Sequence, residues 1–231
     1  SVLSVTGGHD QPCGALGAGI IDHGHAMDAT GTVECIAPAF TEPVLNQAMI
    51  DGNFCCYPHT VEGLFVTLGF VSSGGVILRW FRDNFAQTEV AQAETNGQDV
   101  YDLLLDSMPE EPSSVMLVPH FTGSATPTLD LNAKGAILAL TQSTTKSDLV
   151  KAVLEGISFE IKHNLDLLAL AGVEINEIWV EGNTIGIATE NAERIVALRD
   201  GAERFAVADG RDIHCLLYTS DAADDTPCVD L

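Results

Sequence analysis

The sequence predicts a single α/β domain, on three observations. With 231 residues, 46% of them hydrophobic, the chain can bury a substantial core. Leu149, Val153, Ile157, Ile161, Leu165 and Leu168 recur at helical spacing, which gives residues 148–170 one apolar face. Short apolar or β-branched runs at 2–6 and 174–180 read as strands, each feeding a glycine turn.

The elements follow in order. Residues 2–6 alternate and run into Gly7-Gly8, and the small, apolar stretch 11–21 fits a tightly packed helix after that turn. Residues 27–36 read as a hairpin around Gly31. Residues 67–85 are expected to form one helix, with Gly74-Gly75 near its first turns and Leu78, Phe81 and Phe85 on one face. A short buried strand at 115–119 precedes Gly123, Pro127 and a turn at 132–135. For the helix at 148–170, Ser147 is the expected N-cap, because its hydroxyl can accept from an otherwise unpaired N–H. Gly172 is the expected stop. The strand at 174–180 then enters Glu181-Gly182.

Charge and composition exclude several classes of function. The formal net charge is −23, from 33 acidic against 10 basic residues, so no basic surface is available for a nucleic-acid backbone. No apolar run approaches the roughly 18 residues of a membrane span. No basic region leads into an apolar segment at the start, and a cytoplasmic location is expected. Cys13, Cys35, Cys55, Cys56, Cys215 and Cys228 include no CxxC pair, and the adjacent Cys55-Cys56 suits neither bridging nor chelation; reduced thiols are expected. His23 and His25 read as solvated loop residues, and no ligand spacing marks a metal site.

The chemistry concentrates in Gly7-Gly8-His9-Asp10-Gln11 and in Thr30-Gly31-Thr32. A carboxylate after a strand, at the mouth of a glycine turn, can take a proton from a substrate hydroxyl. A glycine turn with a neighbouring hydroxyl and amides can receive phosphate oxygens. The plainer reading is that Asp10 only caps the helix after it. A dinucleotide turn at Gly14-Ala15-Leu16-Gly17-Ala18-Gly19 lacks both the GxGxxG spacing and a suitably placed acidic residue.

The order GGHDQ, GT, SSGGVILRWFRD, PHFTGSATPTLDLNAKG, DLVKAVLEGISFEIKHNL resembles the C-terminal domain of the FGGY family of carbohydrate kinases over residues 2–182. The resemblance implies the actin-like, ribonuclease H-like ATPase fold, a mixed sheet flanked by helices. It implies transfer of the ATP γ-phosphate to a sugar hydroxyl, with ATP and Mg2+ as cofactors. Asp10 matches the family's base, Gln11 a residue that helps to hold the polyol, and Thr32, beside Gly31, a threonine near the nucleotide's phosphates. Gly75 matches a glycine at the nucleotide, Arg79 a variable position beside it, and Gly182 the start of an adenosine-binding turn.

The wording GGHDQ and GTVE stands nearer the sugar-kinase branches than glycerol kinase, with a ketopentose such as xylulose the expected acceptor. A catalytic base so close to the start implies that the family's N-terminal kinase domain is missing and that this piece is nearly inactive alone. The full-length enzyme is expected to act on a small-molecule sugar, with a homodimer as its assembly. The alternative is a non-catalytic actin-like domain that only binds nucleotide. After Gly182 the family's glycine-rich turn is replaced by Asn183-Thr184-Ile185-Gly186, and a one-nucleotide shift in one permissible codon set yields Ala-Thr-Gln-Ser. Residues 183–214 are therefore read as a frameshifted continuation. Residues 215–231 read as a translated sequencing-adapter sequence, expected to stay outside the fold.

Overall fold

The structure, a computed structural model, describes residues 8–181 and, beyond them, the backbone of four short strands. The strand expected at 2–6 and the glycine at Gly182 lie outside the described residues. The described residues begin with α1 (Asp10–Gly17), β1 (His25–Thr30) and β2 (Glu34–Phe40). There follow α2 (Gln47–Asp51), β3 (Tyr57–Pro58), β4 (Phe65–Val66) and β5 (Gly69–Val71). Helices α3 (Gly75–Phe85), α4 (Gln87–Asn96) and α5 (Val100–Asp106) lead to the small pair β6 (Met116–Val118) and β7 (Ala136–Leu138). Then come α6 (Lys146–Leu170), β8 (Glu177–Glu181), β9 (Thr184–Ala188), β10 (Arg194–Ala197), β11 (Glu203–Ala206) and β12 (His214–Tyr218).

The main sheet is mixed. Its order is β11-β8-β1-β2-β4-β3, with β5 also paired to β2. β1 and β2 are antiparallel, with Thr30 opposite Glu34, and β5 is antiparallel to β2, with Val71 opposite the same Glu34. β8 runs parallel to β1, with Glu181 opposite Ala29. This register brings the C-terminal ends of β1, β5 and β8 to one edge of the sheet, the edge where α/β proteins place ligands.

Every residue of β2 is buried, so both faces of the sheet are covered. On one face Ala26, Ile36, Val71 and Ile178 pack on α3, α5 and α6. On the other, Met27, Ala37 and Ala39 pack with Ala15 and Ala18 at α1. The expected apolar stripe of the long helix is the main contributor to the first core: Val153, Ile157, Ile161 and Leu165 are all buried there.

Several boundaries differ from the sequence reading. α1 starts at Asp10 and ends at Gly17, because Gly19 takes φ +86° and the Ile20 and Gly19 N–H groups donate back to the carbonyls of Ala15 and Leu16. That closure stops a helix however apolar the residues beyond it. The same closure ends α6 at Gly172, as expected: Val173 N–H donates to Leu168 and Gly172 N–H to Ala169. At the other end of α6 the cap is Thr145 and not Ser147. The Thr145 hydroxyl accepts from the Asp148 N–H, and the Asp148 carboxylate accepts from the Thr145 N–H.

The single helix expected at 67–85 is a strand, a loop and a helix. Pairing of β5 with β2 claims Gly69–Val71, and the helix starts only at Gly75. α4 and α5, not foreseen, are separated by Gly97 at φ +66° and an Asp99 cap that accepts from the Tyr101 N–H. His25 is not a loop residue. It opens β1 opposite Glu177, with Nε2 3.5 Å from that carboxylate, whereas His23 is exposed and pairs with Glu174 at 3.4 Å. Beyond Glu181, β11 pairs antiparallel with β8, and β9 pairs with both β10 and β12. Where the sequence reading left the tail from 215 outside the fold, the backbone of β12 lies in that small sheet.

Candidate active site

Residues far apart in sequence meet at the C-terminal edge of the sheet. The hairpin tip between β1 and β2 carries Gly31 and Thr32, and its turn is closed by a bond from Gly31 N–H to the Val33 carbonyl at 3.0 Å. The loop leaving β5 docks directly on this tip. Gly74 N–H donates to Thr32 O at 2.8 Å, and Gly75 N–H donates to Gly31 O at 3.0 Å. Thr32 and Gly75, paired only by motif order in the sequence, are thus held together by backbone bonds.

The amides of Gly74 and Gly75 serve this clasp, and that of Gly31 closes the turn itself. α3 starts at Gly75, beside this clasp, and carries no acidic residue in its first turn. The positive end of a helix dipole favours anions there by roughly 0.3–1 kcal/mol. Arg79 lies one turn along α3, on the same helix face as Gly75. The strand that feeds Gly182 arrives at this edge too, since Glu181 ends β8 beside Ala29.

Asp10 stands on the α1 side of the edge. It is the first residue of α1, after the cap residue His9, so it is not itself the cap. Its carboxylate accepts from the Gln11 N–H at 2.8 Å and lies 3.3 Å from His9 Nδ1, with the side chain 85% exposed. A cleft of about 290 Å³ is lined by His9, Asp10, Gln11, Val33, Cys35, Leu68 and Phe70. Asp10 and Gln11 therefore share one cavity, walled by the start of β2 and by the segment that enters and includes β5. A carboxylate this exposed can take a proton from a hydroxyl lying in the cleft.

Sequence reasoning missed the cleft walls. Cys35 and Phe70 are direct partners in the β2–β5 ladder, which puts both on the cleft side. Burial, with Asp28, Glu34 and Asp10 nearby, pushes the Cys35 thiol up to about 12, so it stays protonated and serves as a wall. Cys13, Cys35, Cys55 and Cys56 are all free thiols.

Beneath the tip, on the opposite face, lie Asp28, Thr30 and Glu34, all buried. Among the described residues, Asp28 Oδ1 and Thr30 Oγ1 have no hydrogen-bond partner. Burial pushes the Asp28 carboxyl up to about 8, so at neutral pH it keeps its proton. The unfolded chain would ionise it near pH ~3.9. The stability Asp28 contributes is therefore complete below that pH and is lost as pH rises through about 8. Asp28→Asn mimics the protonated form. Its melting temperature should match that of the parent near pH 4 and exceed it by a margin that widens up to pH 8. A difference that stays constant across this range would refute the assignment.

Among the described residues, no group of three His, Cys, Asp or Glu is placed to hold a metal ion. No helix among them is long and apolar enough to cross a membrane.

Residues 27–188 match the family profile described as the FGGY family of carbohydrate kinases, C-terminal domain. A xylulose kinase of Staphylococcus epidermidis is 27% identical over 77% of this chain and 34% of its own length. A gluconokinase of Bacillus licheniformis is 30% identical over 68% of this chain and 30% of its own. A solved xyloylose kinase from Brucella ovis superposes with a TM-score of 0.57 at 25% identity, over 70% of this chain and 31% of that one. The chain spans about a third of the length of the curated relatives it matches. The fold is the actin-like ATPase fold of these sugar kinases.

Proposed function

Since the chain belongs to the FGGY family of carbohydrate kinases, we propose that it is the C-terminal part of an ATP-dependent kinase acting on a sugar hydroxyl, with a ketopentose such as xylulose as acceptor. The observation that carries this reading is the pairing of two features at one sheet edge. An exposed carboxylate borders a cleft, and a helix N-terminus without acidic residues stands across the hairpin tip. Phosphoryl transfer depends on positioning and charge stabilisation, and a base on one side with an anion site on the other supports both.

In this reading the acceptor lies in the cleft against Asp10 and Gln11. Its hydroxyl oxygen attacks the γ-phosphorus of ATP as Asp10 takes the hydroxyl proton, and ADP departs with the electrons of the broken bond. Gln11 holds the polyol. Gly31, Thr32, Gly75, Arg79 and Gly182 serve the nucleotide. Mg2+ would enter with the ATP phosphates and would neutralise their charge. An actin-like domain that only clamps nucleotide needs no base facing a cleft, so Asp10 favours the kinase. A cytoplasmic, homodimeric enzyme whose remaining part precedes this chain completes the proposal.

The test is an ADP-release assay on the enzyme completed by its N-terminal part, comparing D-xylulose, D-gluconate and glycerol. The highest kcat/KM is expected with xylulose, and turnover of none of the three would sink the kinase reading. Thr32→Ala should raise the KM for ATP by about tenfold, the effect of one lost bond to a charged group. The KM for the sugar should not move. An equal loss of both affinities would argue against a phosphate role.

A further inference from the structure

The β2–β5 ladder ends at Val71, so residues 72–74 have no strand partner to hold them, although Gly74 and Gly75 must meet the hairpin tip. Side chains of the loop after β6 take over that task. Thr122 N–H donates to Ser73 Oγ at 3.2 Å, Ser73 Oγ and Thr122 Oγ1 lie 2.8 Å apart, and Thr122 Oγ1 donates to Ser72 O at 2.9 Å. Each hydroxyl has one proton, so the assignment is unique: Ser73 donates to Thr122, and Thr122 donates to the Ser72 carbonyl. Ser72 Oγ adds a bond to Gly123 O at 2.6 Å.

The loop is itself anchored on α6 near both ends. His120 Nε2 is 3.1 Å from Glu160 Oε1. Thr126 Oγ1 is 2.6 Å from Asn164 Oδ1 and accepts from the Phe70 N–H at 2.7 Å. Ser73 is fully buried and Asn164 almost so. A strap of hydroxyls thus connects the long helix to the residues just before Gly74 and Gly75. Side-chain bonds of this kind fix backbone where no ladder does.

We propose that Thr122 and Ser73 are positioning residues for the nucleotide, holding Ser72–Gly75 so that the start of α3 stays clasped to Gly31 and Thr32. The inference rests on the nucleotide reading of that tip. Neither residue needs to touch ATP.

The experiment titrates Mg-ATP into the enzyme completed by its N-terminal part, its Thr122→Val variant and its Thr122→Ser variant, and measures amide hydrogen exchange in the same samples. Valine keeps the shape and removes the hydroxyl. It should weaken ATP binding about tenfold and speed exchange of the Gly74 and Gly75 amides by a similar factor, with α6 amides unchanged. Serine should restore both. If the parent binds ATP and the valine variant binds equally well, this inference fails alone. If the parent shows no binding, the nucleotide reading fails and takes this inference with it. Faster exchange throughout α6 would make Thr122 a merely structural residue and would also overturn the assignment.

Discussion

Asp10→Asn is expected to lower kcat of the completed enzyme by about 10²–10⁴-fold, the usual contribution of a positioned general base. Asparagine keeps the size of the side chain and can still accept from the Gln11 N–H, as the carboxylate does at 2.8 Å. The start of α1 should therefore be unchanged, and with it the Gln11 wall of the cleft. What is lost is the capacity to take the proton. Because Asp10 stands on the α1 side of the tip, away from α3, ATP binding should survive the change. Steady-state kinetics beside a nucleotide titration separate the two effects. Sugar-dependent ADP release near the parent rate would remove Asp10 from the role of base. Loss of ATP affinity together with turnover would show that it acts by shaping the nucleotide side.

The second large effect is on stability. Gly156 sits within α6, where glycine costs about 1 kcal/mol relative to alanine, so a replacement would ordinarily stabilise. Here a Cβ would stand 2.3 Å from the carbonyl oxygen of Leu117 and 3.1 Å from its carbonyl carbon, both backbone atoms of β6. Overpacking against atoms that cannot rotate away costs about 1–3 kcal/mol or more, and this contact is at the severe end. Gly156→Ala is therefore expected to destabilise by about 2 kcal/mol net. In a chain of this size that is a fall of roughly 4–8 °C in melting temperature. Gly156→Val should be worse, since it loses the helix-propensity gain and adds two methyl groups. A melting temperature for Gly156→Ala equal to or above the parent's would mean that β6 can retreat from α6.

That close approach also shows how legibility varies along the chain. The long helix was readable because Val153, Ile157, Ile161 and Leu165 repeat over many turns, a pattern no strand can produce. Its glycine, a weak point by propensity alone, makes sense only once β6 lies against it. Residues 67–85 were misread for the opposite reason. The run from Thr67 to Val71 is too short to declare a period, and pairing with β2 decides it. The cap at Thr145 and Asp148 was within reach of the sequence, since Thr-x-x-Asp is a near relative of the capping box; the nearer serine drew the assignment instead.

In the candidate site the motif residues were legible and their surroundings were not. Gly31, Thr32 and Gly75 announce themselves as turn chemistry. That Gly74 and Gly75 spend their amides on the tip follows only from the docking of two loops. Asp28 and Glu34 carry no sequence signal of burial. They are buried because α3 and α6 cover that face of the sheet. Val33, Cys35, Leu68 and Phe70 carry no sequence signal at all as cleft walls, because a wall is made by strand register.

The sequence by itself determined the hairpin around Gly31, the long helix and the strand after it, the carboxylate at Asp10 and the glycine-hydroxyl turn at Gly31-Thr32. These depend on local chemistry: periodicity, φ freedom, and which side chains can hold a proton or an anion. Only the tertiary structure decided that β1, β5 and β8 end at one edge, that the Thr32 tip is clasped to Gly75, and that Asp28 keeps its proton. Each of these requires backbone groups or burial supplied by residues distant in the chain. Strand pairing and desolvation act through space, and no local pattern specifies which distant segment will supply them.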